Sequence, residues 1–346
     1  MERADKDLAF MLQYENVAWF DKGKVKILDR RIYPLRTEYV CCESYTDVAQ
    51  AIADMVTQSA GPYTAAAMGM ALAAHEAQAK GIADLMPFLT SAAHTLSNAR
   101  PTTAAKMTAI TNGALAAAQE ALAAGQTGTA LTNVLFEYAY HYINNNYQKY
   151  TAVGRYLAEK IPHNGTIMTQ CFAETVLGTT LRHCKEAGSA IHLICPETRP
   201  YFQGARLTAS VGCDMGFDVT VITDNMPAYV MQSRKVDIFT SASDVITMDG
   251  HIINKIGTFQ IALAAAYHGV PYYVTGTPNP AHRNVQSVTI EARDPALVLE
   301  SMGTKLTLPG VQGYYPAFDI TPPKLCDGVV TDKGIFAPMH LSAYFQ

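Results

Sequence analysis

The sequence predicts an α/β protein with a doubly wound parallel sheet, preceded by a helical bundle that carries a small β hairpin at its start. Three observations predict this: alternating apolar and polar positions around an early turn, alanine-rich segments with helical spacing, and a later alternation of strands with helices. Strands that alternate with helices form βαβ units, which build a parallel sheet. We therefore place one domain at residues 1–160 and a second, Rossmann-like domain at residues 161–346.

The first domain begins with a predicted hairpin. Apolar and polar residues alternate from Val17 to Pro34, and Asp21, Lys22 and Gly23 separate two short runs, as in a tight turn between strands. From Tyr45 onward, alanine-rich segments with breaks at glycine and proline indicate four or five helices. Because alanine and glycine let helices approach closely, these segments predict a compact bundle.

The second domain repeats a strand and a helix about every 25 to 30 residues. The predicted strands are GTIMTQC, IHLIC, DVTVIT, VDIFTSA and VPYYVTG, with a further one at SVTIEAR. The segment NKIGTFQIALAAAYHG is predicted to be helical from its first residues. No G-x-G-x-x-G motif and no Walker loop occurs, so neither a dinucleotide nor a nucleoside triphosphate is indicated.

The composition argues against several classes of partner and site. The 346 residues are 49% hydrophobic, and the net charge of -4 argues against a nucleic-acid or anionic-membrane partner, which would favour a basic patch. No apolar run is long enough to span a membrane and no signal-peptide pattern is present, so we expect a cytoplasmic protein. The seven cysteines contain no C-x-x-C pair, which predicts reduced thiols and no zinc site.

Polar motifs follow several predicted strands. They are Cys171 in IMTQC, the run ETRPYFQGARLTA (197–209), TDNMPA (223–228), and SASD (241–244) followed by NKIGT (254–258). In open α/β sheets, ligands bind beyond the carboxyl ends of the strands. The motifs therefore predict a single pocket at that edge of the sheet.

These motifs, with ARPTT at 99–103 and YYPAFDITP near the end, resemble those of the methylthioribose-1-phosphate isomerase family. Its superfamily also holds ribose-1,5-bisphosphate isomerases and regulatory subunits of the translation-initiation nucleotide exchange factor. The resemblance implies conversion of a furanose aldose 1-phosphate into its open-chain ketose 1-phosphate, in methionine salvage, without a metal or organic cofactor. It also implies a homodimer.

The resemblance assigns roles to individual residues. It implies that Cys171 and Asp244 move protons, and that the sugar and phosphate are held by Arg100, Gln203, Asn254, Lys255 and the loop Gln58, Ser59 and Ala60. In the family that loop reads Arg-Gly-Ala-Pro, so an expected phosphate-binding arginine is missing here. The segment around the cysteine also reads QCFAET where HCNAG is usual.

The chemistry requires one acid and one base on a shared substrate, because the phosphate ester prevents ring opening to a free aldehyde. Cys171 ends a predicted strand just before a helix, which would lower the pKa of its thiol from about 8.5 and favour a thiolate base. Asp244 follows an apolar run, where burial would raise the pKa of its carboxyl and favour an acid. Which residue acts first stays open.

Each assignment has a structural alternative. Cys171 could be a packed thiol, Asp244 a turn cap, and Gln203 a helix cap, whereas Gly204 would permit close backbone approach. Asp224 is either an N-cap or a ligand of sugar hydroxyls. Lys255 is predicted either to begin a helix whose N-terminus binds phosphate or to be a solvated lysine in the first turn. Arg100 is predicted either to bind phosphate through two hydrogen bonds or to form an ordinary ion pair.

The sequence thus favours an isomerase of 5-methylthioribose 1-phosphate that acts on a small-molecule sugar phosphate. One alternative is an isomerase of ribose 1,5-bisphosphate or 5-deoxyribose 1-phosphate. Another is a ligand-sensing subunit of the initiation-factor type that binds without turnover. The pair of proton carriers at strand ends argues against the sensor.

Overall fold

The computed structural model describes residues 3–100 and 104–346. It divides into two compact units, Met1–Gln148 and Lys149–Gln346. The division falls within the long helix Thr129–Ala158, about three helical turns before the boundary that the sequence pattern predicts, since that pattern changes only where the helix ends.

The predicted hairpin lies near the start of the first unit and is extended by one strand. Strands β1 (Trp19–Asp21) and β2 (Lys24–Leu28) pair antiparallel, and β2 also pairs with β3 (Tyr39–Cys42). Lys22 and Gly23 have φ angles of 48° and 76°. Positive φ at both central residues gives the twist that suits a two-residue hairpin turn, so the hairpin prediction is confirmed.

Helices make up most of the first unit. In chain order they are α1 (Tyr14–Val17), α2 (Tyr45–Ala53), α3 (Gly61–Ala79), α4 (Leu85–Ser97), α5 (Ala104–Ala123) and α6 (Thr129–Ala158), whose last turns belong to the second unit. Small residues bring them close, as predicted. A Cβ atom built on Gly69 of α3 would lie 3.0 Å from Leu96 of α4, so a larger residue at position 69 would push these helices apart.

The second unit is built on a mostly parallel sheet. Its strands, in chain order, are β4 (Thr166–Met168), β5 (His192–Pro196), β6 (Asp218–Ile222), β7 (Ile238–Ala242), β8 (Val245–Ile246), β9 (Ile252–Lys255), β10 (Tyr272–Thr275), β11 (Glu300–Ser301), β12 (Thr304–Lys305), β13 (Phe318–Thr321), β14 (Gly328–Thr331) and β15 (Gly334–Phe336). The central sheet has the order β15-β14-β10-β7-β4-β5-β6, and only β15 pairs antiparallel within it. The parallel sheet predicted from the alternation is confirmed.

Short helices connect these strands. They are α7 (Thr175–Glu186), α8 (Ala209–Asp214), α9 (Pro227–Ser233) and α10 (Thr258–His268). A π-helical turn, Gly204–Thr208, leads into α8, and 3-10 turns cover Phe10–Leu12, Val285–Ser287, Pro295–Val298, Pro323–Leu325 and Pro338–Phe345. The core of this unit lies between the sheet and α9 and α10, where the rings of Phe239 and Tyr272 stack 4.4 Å apart.

The prediction of a strand at SVTIEAR is wrong. Residues 287–293 form a single bridge, between Ala292 and Pro316, in place of a ladder. Apolar alternation there does not build a strand because the segment has no long partner to pair with. Among the described helices, none combines the length and apolar character needed to cross a bilayer.

Candidate active site

The site lies where the strand order of the central sheet reverses. Strand β4 has β5 and β6 on one side, and the chain then returns to place β7 on the other side of β4. Cys171 follows β4, and Asp244 follows β7. Ligands of open α/β sheets bind at such a switch point, because the two following loops part there and leave a crevice.

Cys171 is half-buried, and burial raises the pKa of its thiol to about 11. The positive charges of Lys255 and Arg293 act in the opposite direction, while the charge of Asp244 raises the pKa further. The lowered pKa predicted from the nearby helix is therefore wrong, since desolvation of the sulfur outweighs the favourable charges. At neutral pH the thiol of the unliganded protein is protonated.

Asp244 is exposed to solvent, so the burial predicted from its apolar neighbours is also wrong. The short strand β8 begins directly after it, and its backbone N–H donates to the carbonyl of Ile253 at 2.9 Å. Its neighbours Ser243 and Val245 are only partly buried, and Asp244 itself lies where β7 ends. Its charge reaches the Cys171 thiol, so the structure brings the two predicted proton carriers together.

Asn254 and Lys255 lie beside this pair but on a different element from the one predicted. They end strand β9, which pairs with β8 and β13, and helix α10 begins only at Thr258. Both side chains are buried, with 4% and 5% exposure. The Asn254 amide donates to the Thr258 hydroxyl at 3.0 Å. Lys255 thus presents a buried charge rather than a first-turn lysine.

The N-terminus of α10 already has an anionic partner. The Asp319 carboxylate accepts the N–H of Gly257 at 2.7 Å and that of Phe259 at 3.1 Å. The helix end predicted to bind phosphate is therefore occupied by a side chain of this protein. Burial raises the pKa of Asp319 to about 6, against the lowering effect of these two hydrogen bonds.

The raised pKa of Asp319 predicts a pH dependence of stability. The folded protein binds this proton more tightly than the unfolded chain, so the free energy of unfolding should fall as pH rises from about 4 to about 6. Asp319→Asn should lose this component of the slope. Urea unfolding of both proteins at pH 4, 5 and 6 measures it, with Asp218→Asn, on the exposed start of β6, as the control. Equal slopes for wild type and Asp319→Asn would contradict the assignment.

Arg293 is a site residue that the sequence analysis missed. Its side chain is only 10% exposed and pairs with Glu291 at 2.8 Å. Its guanidinium carbon lies 5.7 Å from the ring of Phe318, and the ammonium of Lys255 lies 4.9 Å from the same ring. Two cations therefore flank one aromatic ring near the thiol. The sequence carried little signal for Arg293, because a single arginine in an irregular segment matches no motif.

Two buried amide side chains adjoin the strand ends. Gln170, next to Cys171, donates to the carbonyl of Ile256 at 3.0 Å, and Gln203 directly precedes the π-helical turn. Among the described residues, the Oε1 atoms of both are buried without a hydrogen-bond partner. Such atoms commonly acquire partners from a ligand or ordered water. As predicted, Gly204 is needed for close approach: a Cβ atom there would lie 1.8 Å from the carbonyl oxygen of Pro196.

The remaining predicted ligands belong to the first unit. Gln58 is buried, Ser59 is exposed with a φ of 58°, and Ala60 precedes α3. Arg30, which is wholly buried, donates from Nη1 to the carbonyl of Gln58 at 2.8 Å. The structure thus places an arginine that the sequence analysis missed against the loop where the family arginine is absent.

Arg100 is half-buried and follows α4. The rest of the ARPTT motif, residues 101–103, lies outside the described residues. Within residues 3–100 and 104–346, no group of three or more His, Cys, Asp or Glu side chains is placed to hold a metal ion.

Comparison with known proteins identifies the family of this chain. A family model described as the initiation factor 2 subunit family matches residues 56–338. The chain belongs to this family. Methylthioribose-1-phosphate isomerase from Chloroflexus aurantiacus is 34% identical over 95% of this chain and 97% of its own. The same enzyme from Pelotomaculum thermopropionicum is 33% identical over 94% and 92%.

Two solved structures are similar to this chain in fold. The 5-methylthioribose 1-phosphate isomerase from Pyrococcus horikoshii OT3 has a TM-score of 0.87 at 29% identity, covering 98% of this chain and 96% of its own. Translation initiation factor eIF-2B subunit delta from A. fulgidus has a TM-score of 0.82 at 30% identity, covering 93% and 96%. The resemblance inferred from the motifs is thereby confirmed.

Proposed function

We propose that this chain is an aldose-ketose isomerase that converts 5-methylthioribose 1-phosphate into 5-methylthioribulose 1-phosphate, a step of methionine salvage. The observation that carries the proposal is the position of Cys171 and Asp244, which follow the adjacent strands β4 and β7 where the strand order reverses. The names of relatives aligned over nearly the whole chain supply the substrate. In keeping with the family resemblance, the reaction uses no metal or organic cofactor.

The protonation state of Cys171 favours this residue as the acid, which leaves Asp244 as the base. A thiol with a pKa of about 11 keeps its proton at neutral pH, and the Asp244 carboxylate is open to solvent at the end of β7. This assignment reverses the roles that the sequence suggested. It does so because the sulfur is the desolvated group and the carboxylate is the solvated one.

The first step opens the ring. Asp244 takes the proton from C2, the electrons of the C–H bond form the C1–C2 double bond, and the bond between C1 and the ring oxygen breaks. The Cys171 thiol gives its proton to the departing ring oxygen. The resulting thiolate is stabilised by the nearby charges of Lys255 and Arg293, which lower the pKa of the thiol.

The second step forms the ketone. The thiolate of Cys171 takes the proton of the C2 hydroxyl as the C2 carbonyl forms, and the Asp244 carboxyl returns a proton to C1. Both side chains regain their starting states, so the cycle needs no other reactant. Gln203, Asn254 and Lys255 are proposed to hold the sugar and phosphate, as are Gln58, Ser59, Ala60 and Arg100.

A direct assay tests the proposal. Purified protein is incubated separately with 5-methylthioribose 1-phosphate, 5-deoxyribose 1-phosphate and ribose 1,5-bisphosphate, and ketose formation is measured. We expect turnover to be fastest with the first substrate. Faster turnover of one of the other two sugar phosphates would make that compound the substrate. No turnover of any of the three would favour a ligand-sensing subunit, the alternative that the similarity to eIF-2B subunit delta supports.

The role of Cys171 predicts a pH profile. Since the protonated thiol is the active form, kcat/KM should stay level between about pH 7 and pH 9 and fall only as pH approaches the pKa of about 11. A thiolate base would give the opposite sign, with kcat/KM rising across this range. Initial rates from pH 6 to pH 10 distinguish the two, and Cys213→Ser, at an exposed cysteine, should leave the profile unchanged.

We further propose that the chain forms a homodimer, as the family resemblance implies. Sedimentation equilibrium over a range of concentrations measures the mass directly. The cytoplasmic location stays a prediction from the sequence.

A further inference from the structure

The backbone of Cys171 adopts a conformation that a non-glycine residue rarely takes. Its φ angle is 58°, in the left-handed region, where the Cβ atom crowds the following carbonyl. A residue remains in this region only when its surroundings hold it there. The direction in which the thiol points therefore depends on the groups that fix the backbone of residue 171.

Two threonine hydroxyls hold that backbone from both sides. The N–H of Cys171 donates to Thr198 Oγ1 at 3.2 Å, and Thr208 Oγ1 donates to the carbonyl oxygen of Cys171. Both threonines are only 1% exposed. The cavity that Cys171 and Thr208 line together has a volume of only about 10 Å³, enough for about one water molecule.

Thr198 is itself fixed by a carboxylate. The two oxygens of Asp224 accept the N–H of Thr198 and the N–H of Arg199, each at 2.7 Å. The hydroxyl of Thr198 donates to the carbonyl of Pro196 at 3.2 Å, which leaves its lone pairs directed to Cys171.

Asp224 was predicted either to cap a helix or to bind sugar hydroxyls. It does not cap α9, whose N-cap is Met226, and its carboxylate orders the loop that carries Thr198.

We propose that Thr198 is a positioning residue for the isomerase reaction, and that its hydroxyl, with that of Thr208, sets the direction of the Cys171 thiol. The inference rests on the proposed function in that it takes Cys171 as the proton donor. Without the Thr198 hydroxyl, the N–H of Cys171 loses its acceptor and the backbone can relax to a negative φ. That rotation about the Cα atom turns the thiol away from the ring oxygen it must protonate.

Three variants test the inference. Thr198→Val removes the hydroxyl at nearly constant volume, whereas Thr198→Ser keeps the hydroxyl. Thr180→Val is the matched control, because Thr180 is also fully buried and donates to a carbonyl, that of Val176, within α7. Thr198→Val should lower kcat by about 10²-fold with little change in KM, since small misplacement of a reacting group carries a cost of that order.

Thr198→Ser should stay within about 3-fold of wild type, and Thr180→Val should leave kcat nearly unchanged even where it lowers the melting temperature. A kcat of Thr198→Val close to wild type would overturn the inference. So would a loss shared equally by Thr198→Ser or by Thr180→Val, because either result would indicate general destabilisation.

A second measurement does not require turnover, which separates this inference from the proposed function. The rate of alkylation of Cys171 by iodoacetamide, followed by peptide mass spectrometry from pH 7 to pH 10, reports the exposure and pKa of this thiol alone. Thr198→Val should change that rate and Thr180→Val should not. If only Thr198→Val changes the alkylation rate but the wild-type protein shows no isomerase activity, the proposed function is wrong and the positioning role of Thr198 stands. Identical alkylation rates in all three proteins would overturn the positioning role.

Discussion

Cys171→Ser is expected to lower kcat by about 10²-fold or more while the protein remains folded. Serine is nearly the same size as cysteine and can keep the backbone hydrogen bonds of residue 171 with Thr198 and Thr208. Its hydroxyl is a much weaker acid than the thiol, so proton delivery to the ring oxygen becomes slow. Steady-state assays of ketose formation measure kcat, and thermal unfolding checks the fold.

Cys213→Ser is the matched control for this experiment, because Cys213 is an exposed cysteine at the end of α8. It should retain the wild-type rate. A Cys171→Ser protein that works within a few-fold of wild type would remove Cys171 from proton transfer, and the acid would have to be sought elsewhere.

Asp244→Asn is expected to cause a loss of similar size, about 10²-fold or more in kcat. The amide keeps the shape of the carboxylate but cannot take a proton from C2. Because Asp244 is exposed and its backbone is held by Ile253, the substitution should leave the melting temperature almost unchanged. Asp218→Asn, at the opposite end of a neighbouring part of the sheet, should behave as wild type.

Asp244→Asn has a second expected effect that does not depend on turnover. The charge of Asp244 raises the pKa of the Cys171 thiol, so its removal should lower that pKa and speed alkylation of Cys171 at a given pH. An unchanged alkylation rate, together with near-normal kcat, would separate Asp244 from Cys171 and from the reaction.

The parallel sheet and the helical segments could be predicted because local periodicity reports them directly. Runs such as IHLIC and VDIFTSA are apolar throughout, as strands covered on both faces are. The positions of Cys171 and Asp244 after strands followed from the same pattern. The strand order, which makes β4 and β7 neighbours, could not be predicted from local periodicity. It depends on where each connection places the next strand in the sheet.

The environments of individual side chains were the weakest predictions. Helix proximity suggested a lowered thiol pKa at Cys171, but desolvation depends on packing from distant residues and outweighed it. Lys255 was placed in a helix because NKIGT leads into one, whereas the pairing of β9 with β13, more than sixty residues later in the chain, extends the strand through Lys255. Asp319 belongs to the same strand pairing, and Arg293 lies near Lys255 because both pack against the ring of Phe318.

The most direct test is a crystal structure of Asp244→Asn soaked briefly with 5-methylthioribose 1-phosphate, since the variant should bind the sugar but convert it at least about 10²-fold more slowly than wild type. The account predicts that one furanose lies between the two side chains, with Cys171 Sγ about 3 to 4 Å from the ring oxygen and residue 244 at a similar distance from C2. A sugar that contacts only one of the two residues, or that binds away from the carboxyl ends of β4 and β7, would contradict it.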